Sequence, residues 1–488
     1  MPILKKALCV LSLMPICLSA GAASEPVSTT PIEGIWSGKL AVGSGISLRV
    51  AVKIKRAADG TLTSTLDSLD QGAIGIPIET TTFTNGHVDL VVAAVHGEYK
   101  GELAKDGHGL TGTWTQGGST LPLDLTRQEK EETLNRPQEP KPPFPYKSEE
   151  VQYANKSAGV TLAGTLTKPD GAGPFPAVLL ITGSGPQNRD EEILGHKPFL
   201  ILADYLTRRG FAVLRADDRG VGKSTGAFAS ATSEDFAGDA LAGVEYLKKR
   251  ADIDRKRIGL LGHSEGGLIA PMCATRSRDV AYIVLMAGPG LRGDEILQRQ
   301  SVLIQIAAGV PREQVARASA VQKHALQIIT TEHDAKAVDG KLRPYLEGEL
   351  TKPESAAELT QANGGKPMTK AQMDSFIDGQ VEMMHSPWMR FFVSYDPRPT
   401  LKKVKCPVLA IDGTNDLQVP PEEDLAEIEK ALKAGGNKDV TTTLLPGLNH
   451  LFQPSKTGSP AEYAQIETTV DPSALKVIGD WLAKHANL

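Results

Sequence analysis

Cysteine is scarce in this chain: there are four in 488 residues, and two of them, Cys9 and Cys17, lie near its start. There is no Cys/His spacing for zinc and no H-E-x-x-H, which excludes a zinc module and a zinc peptidase of that type. A basic tract is also missing, as is any aromatic-plus-basic repeat. With a formal net charge of −5, nucleic acid is not an expected partner. No apolar run is long enough to span a bilayer.

The first feature present is an address. Lys5 and Lys6, the apolar stretch from Ala7 to Ala20, and an A-x-A site at Ala20-Gly21-Ala22 read as an export signal over residues 1–22. The chain is therefore expected to be periplasmic or secreted, with no membrane span once the signal is removed. Cys273 and Cys406 would remain. An exported chain could pair them, but one sits in a helix-like stretch and the other at the start of an apolar strand, so both read as buried free thiols, with the pairing left open.

The remainder divides by its hydrophobic pattern. Residues 32–127 alternate apolar and polar side chains, as in Ile46 to Arg56, and carry hairpin turn signals at Asp59-Gly60, Asn85-Gly86 and Asp106-Gly107. This predicts a small all-β barrel or sandwich, with Trp36 and Trp114 as core aromatics. Residues 128–146 include five prolines between Arg136 and Pro145, which predicts an extended linker. From 147 to 488 the apolar runs are continuous, end in glycines or acids, and alternate with helix-like segments. That is the grammar of an α/β domain with a mostly parallel sheet covered on both faces, whose ligands bind at the carboxyl ends of the strands. About residues 291–400 form a helical insertion with no strand, expected to be a cap over that edge.

Within the α/β part, "IGLLGHSEGG" (Ile258 to Gly267) matches G-x-S-x-G in its proper setting, with an apolar strand before it and a helix after it. A turn this tight needs small residues two before and two after the serine, and it leaves the Ser264 hydroxyl exposed as a nucleophile. Such a hydroxyl needs a base. In the chain order Ser, acid, His, only His450 and His485 lie beyond the candidate acids, and His485 reads as part of a solvated terminal helix face. His450 is the expected base. Of Asp412 and Asp416 in "AIDGTND", Asp416 lies past the strand end, where it can reach a histidine. The oxyanion donors expected are the Glu265 N–H, at the helix start, and the Ser184 N–H, with Gly185 second, in the glycine-rich loop after "AVLLI". Trp388 and Phe391 in the cap are candidates for the acyl pocket or for cap core. "RGVGKSTG" lacks the first glycine of a phosphate-binding loop, Asp217 standing in its place, and so reads as structural.

These residues resemble the α/β-hydrolase superfamily and, more narrowly, bacterial serine aminopeptidase-like (S33-type) esterases carrying an N-terminal β domain. The resemblance covers Val151 to Leu488 and is carried by "GSGPQNRDE" (Gly183 to Glu191), "DDRGVGKSTG" (Asp217 to Gly226), "GHSEGG", "DGTNDLQVP" (Asp412 to Pro420) and "LNHLF" (Leu448 to Phe452). The family's Gly-x-x-Asp-x-x-Val pattern falls on Gly413, Asp416 and Val419, which implies Asp416 as the acid. Thr182-Gly183 stands where many lipases have His-Gly. The resemblance implies hydrolysis of a small-molecule carboxylic ester through an acyl-enzyme, with no metal or organic cofactor. An exported aminopeptidase or dipeptidyl-peptidase, and a binding protein with an inactive hydrolase domain, are the other readings. The sequence leaves the oligomeric state open.

Overall fold

The computed structural model describes residues 32–43, 46–116, 119–131, 134–332, 334–362 and 366–488; the expected export signal lies outside them. The described chain divides into two compact units. One comprises the residues up to Asn135 with Ile193–Gly195 and Glu347–Asp378; the other comprises Arg136–Glu192, His196–Leu346 and Gly379–Leu488.

Alternating side chains build the first unit. Its strands are β1 (Gly34–Gly43), β2 (Ile46–Arg56), β3 (Leu62–Ser68), β4 (Ala73–Ile78), β5 (Thr80–Thr84), β6 (His87–Val92), β7 (Gly97–Leu103), β8 (Gly109–Gln116), β9 (Ser119–Pro122) and β10 (Leu125–Gln128). All ten belong to one antiparallel sheet, ordered β4-β3-β2-β1-β10-β8-β7-β6-β5 with β9 on β8. The three turn signals fall between β2 and β3, β5 and β6, and β7 and β8. In the second of these, Asn85 and Gly86 both have positive φ, as a two-residue hairpin turn requires. The sheet rolls far enough for Ser64 on β3 to hydrogen-bond Thr81 on β5. Trp36, Tyr99 and Trp114 are buried inside it with Val52, Leu90 and Leu110. Trp36 donates its indole N–H to Ile32 O at 2.9 Å, with the Arg127 guanidinium 4.3 Å above its ring. The two tryptophans are core residues.

The second unit holds an eight-stranded sheet of β11 (Lys147–Asn155), β12 (Val160–Lys168), β13 (Phe175–Ile181), β14 (Ala212–Ala216), β15 (Ile253–His263), β16 (Val280–Met286), β17 (Val408–Gly413) and β18 (Val440–Leu445), in the order β11-β12-β14-β13-β15-β16-β17-β18. From β14 to β18 neighbouring strands run parallel; β11 and β12 pair antiparallel with each other, and β12 with β14. Continuous apolar runs are needed because both faces are covered. Leu260 on β15 packs into one core with Leu179 and Ile283, whereas Leu261 points into the other with Val178 and Val284. The first core is closed by α2 (Ser233–Lys248), α3 (Glu265–Arg276) and α11 (Pro421–Ala434), and the second by α1 (Pro198–Arg208) and α12 (Pro472–Ala486).

Between β16 and β17 the described residues form helices alone: α4 (Gly293–Ala307), α5 (Arg312–Thr331), α6 (Ala335–Leu350), α7 (Pro353–Ala362), α8 (Lys370–His385), α9 (Pro387–Ser394) and α10 (Arg398–Leu401). His485 differs from its expected solvated position: its ring stacks on Trp481 at 3.9 Å and its Nδ1 lies 2.8 Å from Trp481 O. Cys273 is buried and Cys406 half-buried, and both are free.

The proline-rich stretch is held within the second unit. Arg136 donates to the Ile466 and Ala464 carbonyls at 3.0 and 2.8 Å. Gln138 donates to Val470 O at 2.6 Å and accepts from the Thr469 and Val470 N–H groups. Each such bond contributes on the order of 1 kcal/mol. The second unit started at Arg136 is therefore expected to melt about 5 °C or more above one started at Lys147, measured by differential scanning calorimetry.

Candidate active site

The sheet's carboxyl edge gathers the predicted residues. β15 ends at His263 and α3 begins at Glu265, so Ser264 alone makes the turn, with φ 54° and ψ −118°. A non-glycine residue held there is strained, and the surrounding contacts must hold it. Ser264 N donates to Met286 O at 2.8 Å, and Gly267 N donates to Ser264 O at 2.8 Å. The small neighbours are required by close approach. A Cβ on Gly262 would lie 2.0 Å from Gly266 O, and one on Gly266 would lie 2.1 Å from Ile181 O.

His450 follows β18, and its Nδ1 lies 2.6 Å from Asp416 Oδ2 with both side chains buried. The other Asp416 oxygen accepts the Gln418 and Val419 N–H groups at 2.6 and 3.0 Å. Burial opposes the Asp416 charge, but His450 and these donors outweigh it and hold the carboxyl below its usual range. Asp412 lies within β17, one residue before its end, and does not pair with His450. Burial, and then the charge of Asp416, push the Asp412 carboxyl well above its usual range, and its Oδ1 accepts the Gly413 N–H at 2.8 Å. Gly413 lets the two loops meet: a Cβ there would lie 2.1 Å from Leu448 O.

Around Ser264 the loop after β13 comes close. A Cβ on Gly183 would lie 3.3 Å from the Ser264 Cβ. The Gly183 N–H is occupied, donating to Glu191 Oε1 at 2.7 Å. Ser184 follows it, its carbonyl accepting from Gln187 Nε2 at 3.3 Å, and Gly185 has φ 92°. The Glu265 N–H lies in the first turn of α3, where backbone donors have no intrahelical partner.

Several polar groups here lie beyond the reach of sequence reasoning. The Glu265 carboxylate is buried and accepts from Ser233 Oγ at 2.6 Å and from the Trp388 indole N–H at 2.8 Å. Burial pushes its pKa up to about 7 against those two donors. Trp388 thus touches the residue next to Ser264 and stacks on Phe392 at 5.0 Å. Phe391 stacks on Tyr395 at 5.3 Å and packs against the first core. Asp218 accepts from Thr182 Oγ1 and Gln187 N, both at 2.8 Å, and its burial raises it to about 8. His263 bridges Glu191 and the His450 carbonyl at 3.0 and 2.9 Å. The quoted "QNRDE" and "GHSEGG" segments contain these side chains, but nothing in their spacing pairs them.

"RGVGKSTG" is a loop. Ser224 Oγ donates to Asp217 O at 2.7 Å, and Arg219 Nε donates to Asp239 Oδ2 on α2 at 2.7 Å, so this arginine ties the loop to a helix. Among the described residues no group of three or more His, Cys, Asp or Glu could hold a metal ion, and no helix is long and apolar enough to cross a membrane.

A parallel sheet with a serine elbow at the end of its central strand, and a buried His–Asp pair on the loops beside it, is the arrangement of an α/β-hydrolase. The chain belongs to the X-Pro dipeptidyl-peptidase (S15) family, which it matches over residues 158–445. It is 27% identical over 326 residues to esterase EstD of Thermotoga maritima, covering 66% of each chain. It is 32% identical over 158 residues to human dipeptidyl peptidase 8, which spans 30% of this chain and 17% of that one. Among solved structures, the esterase Pf2001 of Pyrococcus furiosus is similar at 16% identity and a TM-score of 0.42, over 73% of this chain and 100% of that one.

Proposed function

We propose that this hydrolase is an exported enzyme that cleaves carboxylic esters through an acyl-enzyme on Ser264, His450 and Asp416. The observation carrying this reading is the Ser264 elbow, set on the sheet edge where His450 Nδ1 stands 2.6 Å from Asp416. Ser264 Oγ attacks the acyl carbon while His450 Nε2 takes its proton, and Asp416 keeps the Nδ1 proton in place and stabilises the imidazolium. The oxyanion is received by the Glu265 and Ser184 N–H groups. His450 then protonates the leaving alcohol, and water releases the acid by the same steps in reverse.

The likeness to EstD supports an ester substrate, as does the narrower resemblance to serine aminopeptidase-like esterases with a β domain in front. Trp388, held by Glu265 near Ser264, would offer an apolar wall to the acyl group. In this reading Phe391, stacked on Tyr395, supports the cap more than it lines the pocket.

One observation favours a second reading. The buried Glu265 carboxylate beside the nucleophile would suit a substrate ammonium, and the family's description is that of an X-Pro dipeptidyl-peptidase. Against it, Glu265 already accepts two hydrogen bonds and titrates near 7, so it is a poor fixed anion. We expect kcat/KM on short-chain p-nitrophenyl esters to exceed that on X-Pro anilides by about 10²-fold or more. Both are measured on one enzyme preparation, and a preference for the anilides would replace the ester reading with the peptidase one.

A further inference from the structure

Three loops from separate strands meet behind Ser264, and one buried pair of side chains joins them. Glu191 lies in the segment after β13, His263 ends β15, and His450 follows β18. Glu191 Oε1 accepts the Gly183 N–H at 2.7 Å and faces His263 Nδ1 at 3.0 Å. His263 Nε2 donates to the His450 carbonyl at 2.9 Å. All three side chains are nine-tenths buried or more.

Counting protons defines the pair. His263 Nε2 must carry a hydrogen, because a carbonyl only accepts. Nδ1 faces a carboxylate, so a second proton lies between that nitrogen and Glu191 Oε1. Burial opposes a charge on His263, but the Glu191 carboxylate outweighs it and raises the imidazole above its usual range. The contact with Glu191 therefore favours the protonated ring of His263 more than burial opposes it. Glu191 has a positive φ of 51°, and its Oε2 is buried with no hydrogen-bond partner among the described residues. A buried carboxylate with one oxygen left unsatisfied is costly and calls for an explanation.

We propose that Glu191 and His263 are positioning residues that lock the oxyanion loop to the loop carrying His450; this rests on the reading of Ser264, His450 and Asp416 as the triad. Glu191 fixes the Thr182–Gly183 peptide, one peptide before the Ser184 N–H, and His263 holds the His450 backbone at the same time. A shift of either loop would misplace a donor or the base relative to Ser264. The pair also has an electrostatic effect. The His263 ring centroid is 4.9 Å from that of His450, so positive charge on the His263 ring disfavours a proton on the base. The other groups facing His263 are Glu191, Asp416 from the loop after β17, and the apolar edge of Phe452 at 6.4 Å.

The test uses the full chain with a short-chain p-nitrophenyl ester, and fluorophosphonate labelling of Ser264. Glu191→Ala is expected to lower kcat about 10²-fold, with KM within about threefold, because the defect lies in transition-state alignment. Glu191→Gln should recover part of the loss, since an amide oxygen in the Oε1 position still accepts from the Gly183 N–H. In both Glu191→Gln and His263→Gln, the acid limb of the kcat/KM profile should move up by about half a pH unit or more, because the positive charge beside His450 is gone. This second readout holds even where Glu191→Ala does not fold. An unchanged kcat in Glu191→Ala, or an unmoved acid limb in both glutamine variants, overturns the proposal while wild-type labelling at Ser264 leaves the triad standing. Absence of labelling in the wild type overturns the triad reading, and the positioning pair with it.

Discussion

Replacing Ser264 by alanine is expected to lower ester hydrolysis by roughly 10⁴-fold or more, leaving only what the oxyanion donors and binding contribute. The methyl side chain fits the same turn, because the strained φ of 54° is held by the Met286 carbonyl and by Gly262 and Gly266, not by the hydroxyl. The variant should therefore fold like the parent. Steady-state turnover of a p-nitrophenyl ester, beside a thermal melt of the same sample, is the measurement. A folded alanine variant that still turns over would mean that another group attacks the acyl carbon.

The two aspartates of "AIDGTND" should separate by a wide margin. Asp416→Asn is expected to lower kcat by roughly 10³- to 10⁴-fold. An amide there cannot accept from His450 Nδ1 with one end and from the Gln418 and Val419 N–H groups with the other without turning its NH₂ toward a donor. The imidazole would be left in the wrong tautomer. Asp412→Asn is expected to stay within about tenfold of the parent, because His450 pairs with Asp416 and burial already disfavours a charge on Asp412. A kcat comparison at one pH decides the matter, and the reverse ranking would move the acid to Asp412.

The elbow was legible because it is local. Strand, glycines, serine and helix are consecutive, and the steric reason for Gly262 and Gly266 acts within a single turn. The β unit was legible for a similar reason, since its hairpin turns mark themselves with Asn-Gly and Asp-Gly. The sequence alone did not choose between a barrel and a sandwich. That depends on how far one sheet rolls, and the contact between Ser64 and Thr81 records it. His485 was misread as solvated because its cover, Trp481, lies one turn back on the same helix and turns inward with the core.

The sequence by itself determined the alternation of apolar strands and helices, the helical insertion before β17, the strained serine and the residue types available to serve it. Those follow from short-range sterics and from the periodicity of burial. Which groups stand together was decided only by the tertiary structure. His450 meets Asp416 across 34 residues, Glu191 meets His263 across 72, Trp388 meets Glu265 across 123, and His263 meets the His450 carbonyl across 187. Contacts at such separations arise from the order in which the sheet assembles its strands, and no local pattern encodes them. The same holds for charge. Asp412 and Asp416 are chemically identical in the sequence, and only burial, one histidine and two backbone N–H groups hold one of them below the usual carboxylate range while the other is pushed well above it.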